Sequence, residues 1–238
     1  MCGLFGYMLD TNVPPKTREL IAAGLSLAND QRGGHSWGFS NGVKVKKGVG
    51  EISRHVKAAR LGQSLTLMAH TRYATTGAQT IANAHPFTIG QIIGAHNGII
   101  TNHAELNETF RRRCTVDSQH IFHHLHEQRP LKTLQGYGTI TYHLAGGDGS
   151  IYLGTFNGGA LAIGSLTKGQ TMLGVVYSST QESLARVLSL AGVTWTPYHL
   201  TDGHLYAIYQ RALYTTTTRL DISPGLRVSQ RGWMAADA

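Results

Sequence analysis

Met1-Cys2-Gly3-Leu4-Phe5-Gly6-Tyr7-Met8-Leu9 opens the sequence, and the reading of everything after it turns on this stretch. Residues 2–9 are apolar and β-like, and they end at a turn through Asp10, Thr11 and Asn12 followed by Pro14-Pro15. A small residue at position 2 invites removal of Met1, after which Cys2 is expected to begin the mature chain. One residue would then carry both a thiol and a free α-amino group. An α-amine titrates near ~7.7–8.0, so it can take the thiol proton directly or through water. The thiolate is the attacking form of the sulfur. On Cys2 alone, a small residue packed as a hydrophobe stays an open alternative.

Outward from this strand, residues 16–29 carry Leu20, Ile21, Ala23, Gly24, Leu25 and Leu27 at helical spacing and stop before Arg32-Gly33-Gly34. Residues 36–49 alternate around Asn41-Gly42, which predicts a hairpin. Residues 52–61 fit a short helix, and 65–70 fit a buried strand running into His70-Thr71-Arg72-Tyr73-Ala74-Thr75-Thr76-Gly77. A strand over 89–95 is predicted to end at His96-Asn97-Gly98. Asn102 is placed as the cap of a helix through Arg113, with Glu105 as its capping-box partner. Asp117 is placed at the start of a helix over 118–128. Short strands follow at 139–143, 151–155, 160–163 and 173–178, then a helix at 181–191 and strands at 198–200, 205–209 and 213–218. Many short strands with paired helices predict an α+β class, two antiparallel sheets covered by helices. No repeat or linker divides the chain, so one domain over 1–238 is expected. No glycine-rich phosphate loop occurs, so nucleotide binding is not indicated.

Composition narrows the class. Hydrophobic residues make up 41%, ordinary for a folded domain, and 29 glycines imply many tight turns. No apolar run reaches membrane-spanning length, and the N-terminus lacks a secretory pattern; the cytoplasm is the expected compartment. Two cysteines, Cys2 and Cys114, make no disulfide framework. The net charge of +8 comes from 21 Lys+Arg against 13 Asp+Glu, but the basic residues are scattered. The densest groups, Lys44-Val45-Lys46-Lys47 and Arg111-Arg112-Arg113, lack the interleaved aromatics of a single-strand platform. Direct nucleic-acid binding is therefore not expected.

Attack of a thiolate on an amide also needs donors for the oxyanion. Asn97-Gly98 offers a side-chain amide and a backbone N–H, although Asn-Gly is equally a turn pair. An amino-acid substrate must be held at both ends: Arg72 offers a planar fork for an α-carboxylate, and Asp117 a counter-charge for an α-ammonium. Either could equally be a structural ion-pair residue.

Taken together, Cys2-Gly3-Leu4-Phe5-Gly6, Arg32-Gly33-Gly34-His35-Ser36-Trp37-Gly38, His70-Thr71-Arg72-Tyr73-Ala74-Thr75-Thr76-Gly77, Asn83-Ala84-His85-Pro86-Phe87 and His96-Asn97-Gly98-Ile99-Ile100 resemble, in order, the motifs of class II glutamine amidotransferase domains. Thr115-Val116-Asp117-Ser118 resembles that family's acidic substrate-binding segment. Weaker likeness continues through residues 136–140, 158–164, 178–182 and 200–203, nearly the whole chain. The resemblance implies an N-terminal nucleophile hydrolase, a four-layer αββα sandwich. It implies that Cys2 attacks the glutamine side-chain amide through a γ-glutamyl thioester. It also implies that Asn97 and Gly98 form the oxyanion hole, that Arg72 helped by Thr75 grips the α-carboxylate, and that Asp117 holds the α-amino group. Residues 73–77, with Tyr73, Thr76 and Gly77, correspond to the loop that closes over glutamine. Arg32 supports the nucleophile, and His85 lies near the pocket. No cofactor is implied. His35 stands where the family usually has Asp, which removes an acceptor and puts the support around Arg32 in question.

His120, His123, His124 and His126 cluster on one predicted helix, but no cysteine pair or carboxylate completes a zinc set, so no metal is expected. Cys114 follows three arginines and is read as structural; Trp37 and Tyr73 line a pocket or belong to the core. Family members usually carry a fused synthase domain. This sequence ends soon after its last strand, so L-glutamine as substrate and a separate synthetase as ammonia acceptor are the expected partners. Two other readings stay open: an amidohydrolase for another γ-glutamyl amide, and a catalytically silent glutamine-binding module.

Overall fold

The computed structural model describes residues 2–74 and 77–224. In chain order these form β1 (Gly3–Leu9), α1 (Pro15–Asp30), β2 (Ser36–Ser40), β3 (Val45–Val49) and a broken helical stretch over 52–63 whose single α turn is α2 (Val56–Ala59). There follow β4 (Thr66–Arg72), β5 (Phe87–Ile89), β6 (Ile92–Ile100), α3 (His103–Thr109) and α4 (Gln119–His126). The remainder is β7 (Gln135–Leu144), β8 (Ile151–Phe156), β9 (Ala162–Lys168), β10 (Thr171–Ser178), α5 (Gln181–Leu190), β11 (Thr194–Tyr198), β12 (His204–Tyr209), β13 (Ala212–Arg219) and β14 (Ser223–Pro224).

The first sheet runs β11-β9-β10-β1-β4-β2-β3, antiparallel throughout, with β1 at its centre. The second runs β13-β12-β8-β7-β6-β5, also antiparallel, with β14 alone parallel to β7. Alternation along each strand sorts side chains to two faces. Phe5, Tyr7 and Leu9 of β1 enter a core with Ile21, Ala22 and Leu25 of α1 and Leu184, Val187 and Leu188 of α5. Met8 points the other way and joins Ile163, Val175 and Tyr177 against Ile151, Leu153, Tyr206 and Ile208 of the second sheet. Leu106 of α3 and Ile121 and Phe122 of α4 cover that sheet's outer face with Ile92, Ile100, Ile140 and Phe156. The order of layers is helix, sheet, sheet, helix, the expected αββα sandwich.

Several boundaries differ from the sequence expectation, each for a physical reason. β6 does not stop at Ala95: it continues to Ile100, because Gly98 pairs opposite Gly138 and Asn97 opposite Thr139. The Asn-Gly pair is therefore mid-strand and no turn. Asn102 takes the N-cap position of α3 as expected but makes no side-chain cap bond; its side chain bridges Thr133 O and Gln135 N instead, and the helix ends at Thr109, short of Arg113. Asp117 spends its carboxylate on the Ile100 N–H at 2.7 Å, and Ser118 takes the cap position of α4. The strands predicted at 160–163 and 198–200 lie at 162–168 and 194–198, where β9 and β11 pair through Ile163 and Tyr198.

The two sheets are not joined by apolar packing alone. Ser40 meets His143 Nε2 at 2.8 Å, Thr141 meets Tyr177 at 3.3 Å, and the Nδ1 atoms of His70 and His85 approach to 3.2 Å. His70, His85 and His96 are buried. Burial holds His70 down to about 3, His85 well below the usual imidazole range, and His96 below it, so all three fold as neutral rings. In the unfolded chain they titrate near ~6.5, so stability is fully present above that pH and falls as pH drops. Urea unfolding is expected to lose about 2–2.5 kcal/mol between pH 6 and pH 5 from His70 and His85, with His96 acting in the same direction. A midpoint that stays level across that range would overturn neutral burial.

Candidate active site

Cys2 stands immediately before β1, at the end of the first sheet that faces β6 of the second. Its carbonyl accepts from Arg32 Nε at 3.0 Å and from Asn97 Nδ2 at 3.1 Å. The same Asn97 amide donates to Ser179 Oγ at 3.3 Å. Ser179 Oγ accepts the Leu4 N–H at 2.7 Å and donates to the Leu4 carbonyl at 3.2 Å. Residues from α1's end, β1, β6 and the β10–α5 junction are thus knotted around one backbone carbonyl. Asn29 reinforces the junction from below, donating to Ser178 Oγ at 3.1 Å while its own carbonyl accepts from Thr71 Oγ1 at 2.7 Å.

The Cys2 sulfur accepts the Tyr73 N–H at 3.3 Å and reaches the Tyr73 carbonyl at 3.6 Å. Burial pushes the thiol above its usual range; the Tyr73 N–H and the Arg72 charge pull it back, and Asp117 raises it. A cavity of about 320 Å³ opens on this sulfur, lined by Cys2, Arg32, Tyr73, Asn97, Gly98 and Ser179, among others. Its far wall is Gly138 and Gly159, packed backbone to backbone: Gly138 sits at φ +150°, and a methyl on Gly159 would overlap the Gly138 carbonyl. A second hollow of about 410 Å³ shares Gly159, Ala160 and Ser179 as its wall.

Arg72 and Asp117 lie outside that lining and are nearly sealed, at 3% and 7% exposure. They remain within electrostatic reach of each other and of Cys2. Arg72 donates to the carbonyls of Ala78 at 3.1 Å and Gly77 at 3.5 Å, which folds the segment containing Gly77 over the guanidinium. Thr75 and Thr76 lie outside the described residues. His85 does not reach the cavity: it is buried between His70 and Phe87. His35 keeps an acceptor where one was expected to be lost, for its Nδ1 takes the Ala74 N–H at 3.1 Å and its ring stacks on Tyr73. Ser179, Tyr137, Gly138 and Gly159 received no role from sequence. Their segments had been marked, but only the β6–β7 register brings Gly138 opposite Gly98.

Of the histidines on α4, His120 and His124 both face the Arg112 guanidinium, at 3.3 and 3.2 Å. Among the described residues, no group of three or more His, Cys, Asp or Glu could hold a metal ion, and no helix is long and apolar enough to cross a membrane.

Residues 44–138 match the family model of class-II glutamine amidotransferases. That stretch of the chain is similar to a class-II glutamine amidotransferase domain. Glutamine–fructose-6-phosphate aminotransferase (isomerizing) of Streptococcus agalactiae is 29% identical over 162 residues, covering 61% of this chain and 26% of that protein. The Pyrococcus horikoshii enzyme of the same name is 35% identical over 143 residues, 53% of this chain and 23% of its own length. The Thermus thermophilus one is 35% identical over 167 residues, 60% and 27%. The chain thus spans about a quarter of the length of the curated relatives it matches. The solved glutamine phosphoribosylpyrophosphate amidotransferase of B. subtilis, complexed with ADP and GMP, superimposes with a TM-score of 0.63 at 17% identity, over 92% of this chain and 49% of that one. This chain therefore shares the fold of that amidotransferase.

One consequence for the thiol is measurable without any substrate. Asp117→Asn removes a charge that raises the Cys2 pKa, and Arg72→Gln removes one that lowers it. At fixed neutral pH, alkylation of Cys2 is expected to speed up in the first variant and slow down in the second, by about two- to tenfold each. Buried Cys114 serves as the internal reference in peptide mass spectra. Equal rates in the three proteins would show that neither charge acts on the sulfur.

Proposed function

We propose that this chain hydrolyses the side-chain amide of L-glutamine, with Cys2 as nucleophile, and delivers the ammonia to a separate synthetase. The observation that carries the reading is the convergence of one sulfur, one carboxamide donor and two opposite charges. Cys2 and Asn97 share a cavity, while Arg72 and Asp117 stand within electrostatic reach of the sulfur.

The chemistry runs in two halves. With Met1 removed, the Cys2 α-amine takes the thiol proton, and the thiolate adds to the amide carbon. The oxyanion so formed is held by Asn97 Nδ2 and the Gly98 N–H. Asn97 is committed to the Cys2 carbonyl and Ser179 before substrate arrives, so one of these bonds must give way. Arg32 stays on the Cys2 carbonyl and keeps it satisfied, which is the supporting role its geometry suits. The α-ammonium of Cys2 returns its proton to the leaving nitrogen, the C–N bond breaks, and a γ-glutamyl thioester remains. Water, deprotonated by the same amine, adds to the thioester, and collapse releases glutamate and the thiolate. Arg72 binds the α-carboxylate and Asp117 the α-ammonium. Because Arg72 now spends its guanidinium on the Ala78 and Gly77 carbonyls, glutamine must displace those contacts as the segment over 73–77, with Tyr73, Thr75, Thr76 and Gly77, opens and closes. His85 has no direct role in this scheme; it is buried beside His70, within electrostatic reach of Arg72. Ammonia leaving Cys2 has the hollow behind Ala160 and Ser179 as its neighbouring space, a place for the acceptor protein to meet the domain.

Mass spectrometry of the mature protein is expected to show Cys2 as the first residue, and 6-diazo-5-oxo-norleucine is expected to label it. Cys2→Ala abolishes both labelling and glutamine hydrolysis. Asn97→Ala lowers kcat by about 10²–10³, and Arg72→Gln raises KM by about tenfold or more. Hydrolysis that survives Cys2→Ala, or an active protein retaining Met1, would overturn the mechanism; turnover of other γ-glutamyl amides in preference to glutamine would overturn the substrate.

A further inference from the structure

The group that touches the Cys2 sulfur most directly is a backbone amide, the Tyr73 N–H at 3.3 Å. A hydrogen bond to the charged form of an acid favours that form, and here it opposes the effect of burial. Tyr73 lies just beyond the end of β4, in irregular backbone, with its side chain 46% exposed. The Arg72–Tyr73 peptide that carries this N–H is tied at its carbonyl by the His35 backbone N–H at 3.0 Å. Beyond that peptide, two further contacts hold the segment, and both come from the His35 side chain. Its ring lies against the Tyr73 ring, centroids 4.5 Å apart and planes 27° from parallel. Its Nδ1 accepts the N–H of the next residue, Ala74, at 3.1 Å. His35 is itself braced by backbone on both sides: its N–H donates to the Arg72 carbonyl at 3.0 Å, and its carbonyl accepts the Gly50 N–H at 3.0 Å.

We propose that His35 is a positioning residue that aims the Tyr73 N–H at the Cys2 sulfur. The ring fixes where Tyr73 lies, and the Nδ1 lone pair fixes the rotation of the Tyr73–Ala74 peptide, so the preceding N–H stays on Sγ. The imidazole must carry its proton on Nε2 to accept in this way. The catalytic meaning of this arrangement rests on Cys2 being the nucleophile of the proposed reaction; the effect on the thiol does not.

The test separates acceptor, ring and fold. In Asn and Asp, Oδ1 is bonded to Cγ as Nδ1 is in His, so His35→Asn and His35→Asp keep an acceptor at that place and lose the ring. His35→Phe keeps the ring and loses the acceptor; His35→Ala loses both and stands in if the Phe variant does not fold, as judged by circular dichroism. For each mature protein, the rate of Cys2 carbamidomethylation by iodoacetamide is followed from pH 6.5 to 10.5, alongside kcat and KM for glutamine. His35→Phe (or His35→Ala) is expected to slow alkylation at pH 7.5 by about fivefold and move the pH–rate curve upward, as loss of one hydrogen bond implies. His35→Asn, which keeps the acceptor and loses the ring, is expected to alkylate at a rate between those of His35→Phe and wild type; His35→Asp adds a negative charge near the sulfur and should alkylate more slowly than His35→Asn. kcat should follow the alkylation rate, with KM changing less. Superimposable curves for His35→Phe and wild type, or equal impairment of the Phe and Asn variants, would overturn the proposal. Wild-type protein that fails to hydrolyse glutamine would sink the proposed function, while the alkylation curves would still decide what His35 does.

Discussion

One carbonyl oxygen, that of Cys2, accepts from both Arg32 and Asn97, and the arrangement of the site follows from that shared acceptor. Arg32 comes from the segment after α1, and Asn97 from β6 of the opposite sheet. A two-sheet sandwich is free to slide along its interface where packing is only apolar, because apolar contact is non-directional. A directional bond from the second sheet onto the residue that leads into β1 removes that freedom where it would matter most. Ser179 extends the lock by holding Asn97 and both polar groups of Leu4. The sulfur, its donors and the cavity wall are then placed by backbone geometry, with little left to side-chain choice.

Electrostatics act on the same ground. Arg72 and Asp117 are almost fully buried, and neither is left to the other alone: the guanidinium bonds backbone carbonyls and the carboxylate bonds a backbone N–H. Opposite charges in a poorly solvated place attract strongly but lose hydration, so such pairs persist when backbone partners satisfy their remaining atoms. The neutral histidines beneath them supply polarity without adding charge. A zwitterionic amino acid brings both charges that such a pair lacks.

Much of the fold was legible in the sequence. The apolar 2–9 strand, the 16–29 helix and the hairpin at Asn41-Gly42 carried their own periodicity and turn chemistry, and each formed nearly where expected. The failures share one cause, side chains with two ways to be satisfied. Asn102 reads as a cap but bridges a neighbouring loop, Asp117 reads as a helix start but closes onto β6, and Asn97-Gly98 reads as a turn but is pinned in a strand by β7. Local sequence cannot choose between such options, because the competing partner is far along the chain. At the site, the chemistry-bearing residues were legible through their ordered motifs. Ser179 and Gly138 were not, since their importance lies in register. His35 was read as a loss, because sequence shows what a residue is and not which backbone N–H it faces.

β1 sits at the centre of its sheet, yet the bond from the Leu4 N–H to Ser179 spans 175 positions. At ribosomal speeds of about 5–20 residues per second, β1 waits on the order of ten to thirty seconds for β10 to emerge. Loop closure on that scale makes the β1–β10 pairing a late step in folding, after β1 can already pair with β4 on its other side. The same delay keeps a partly synthesised chain from assembling its donors around the thiol, so reactivity is withheld until nearly the whole domain exists.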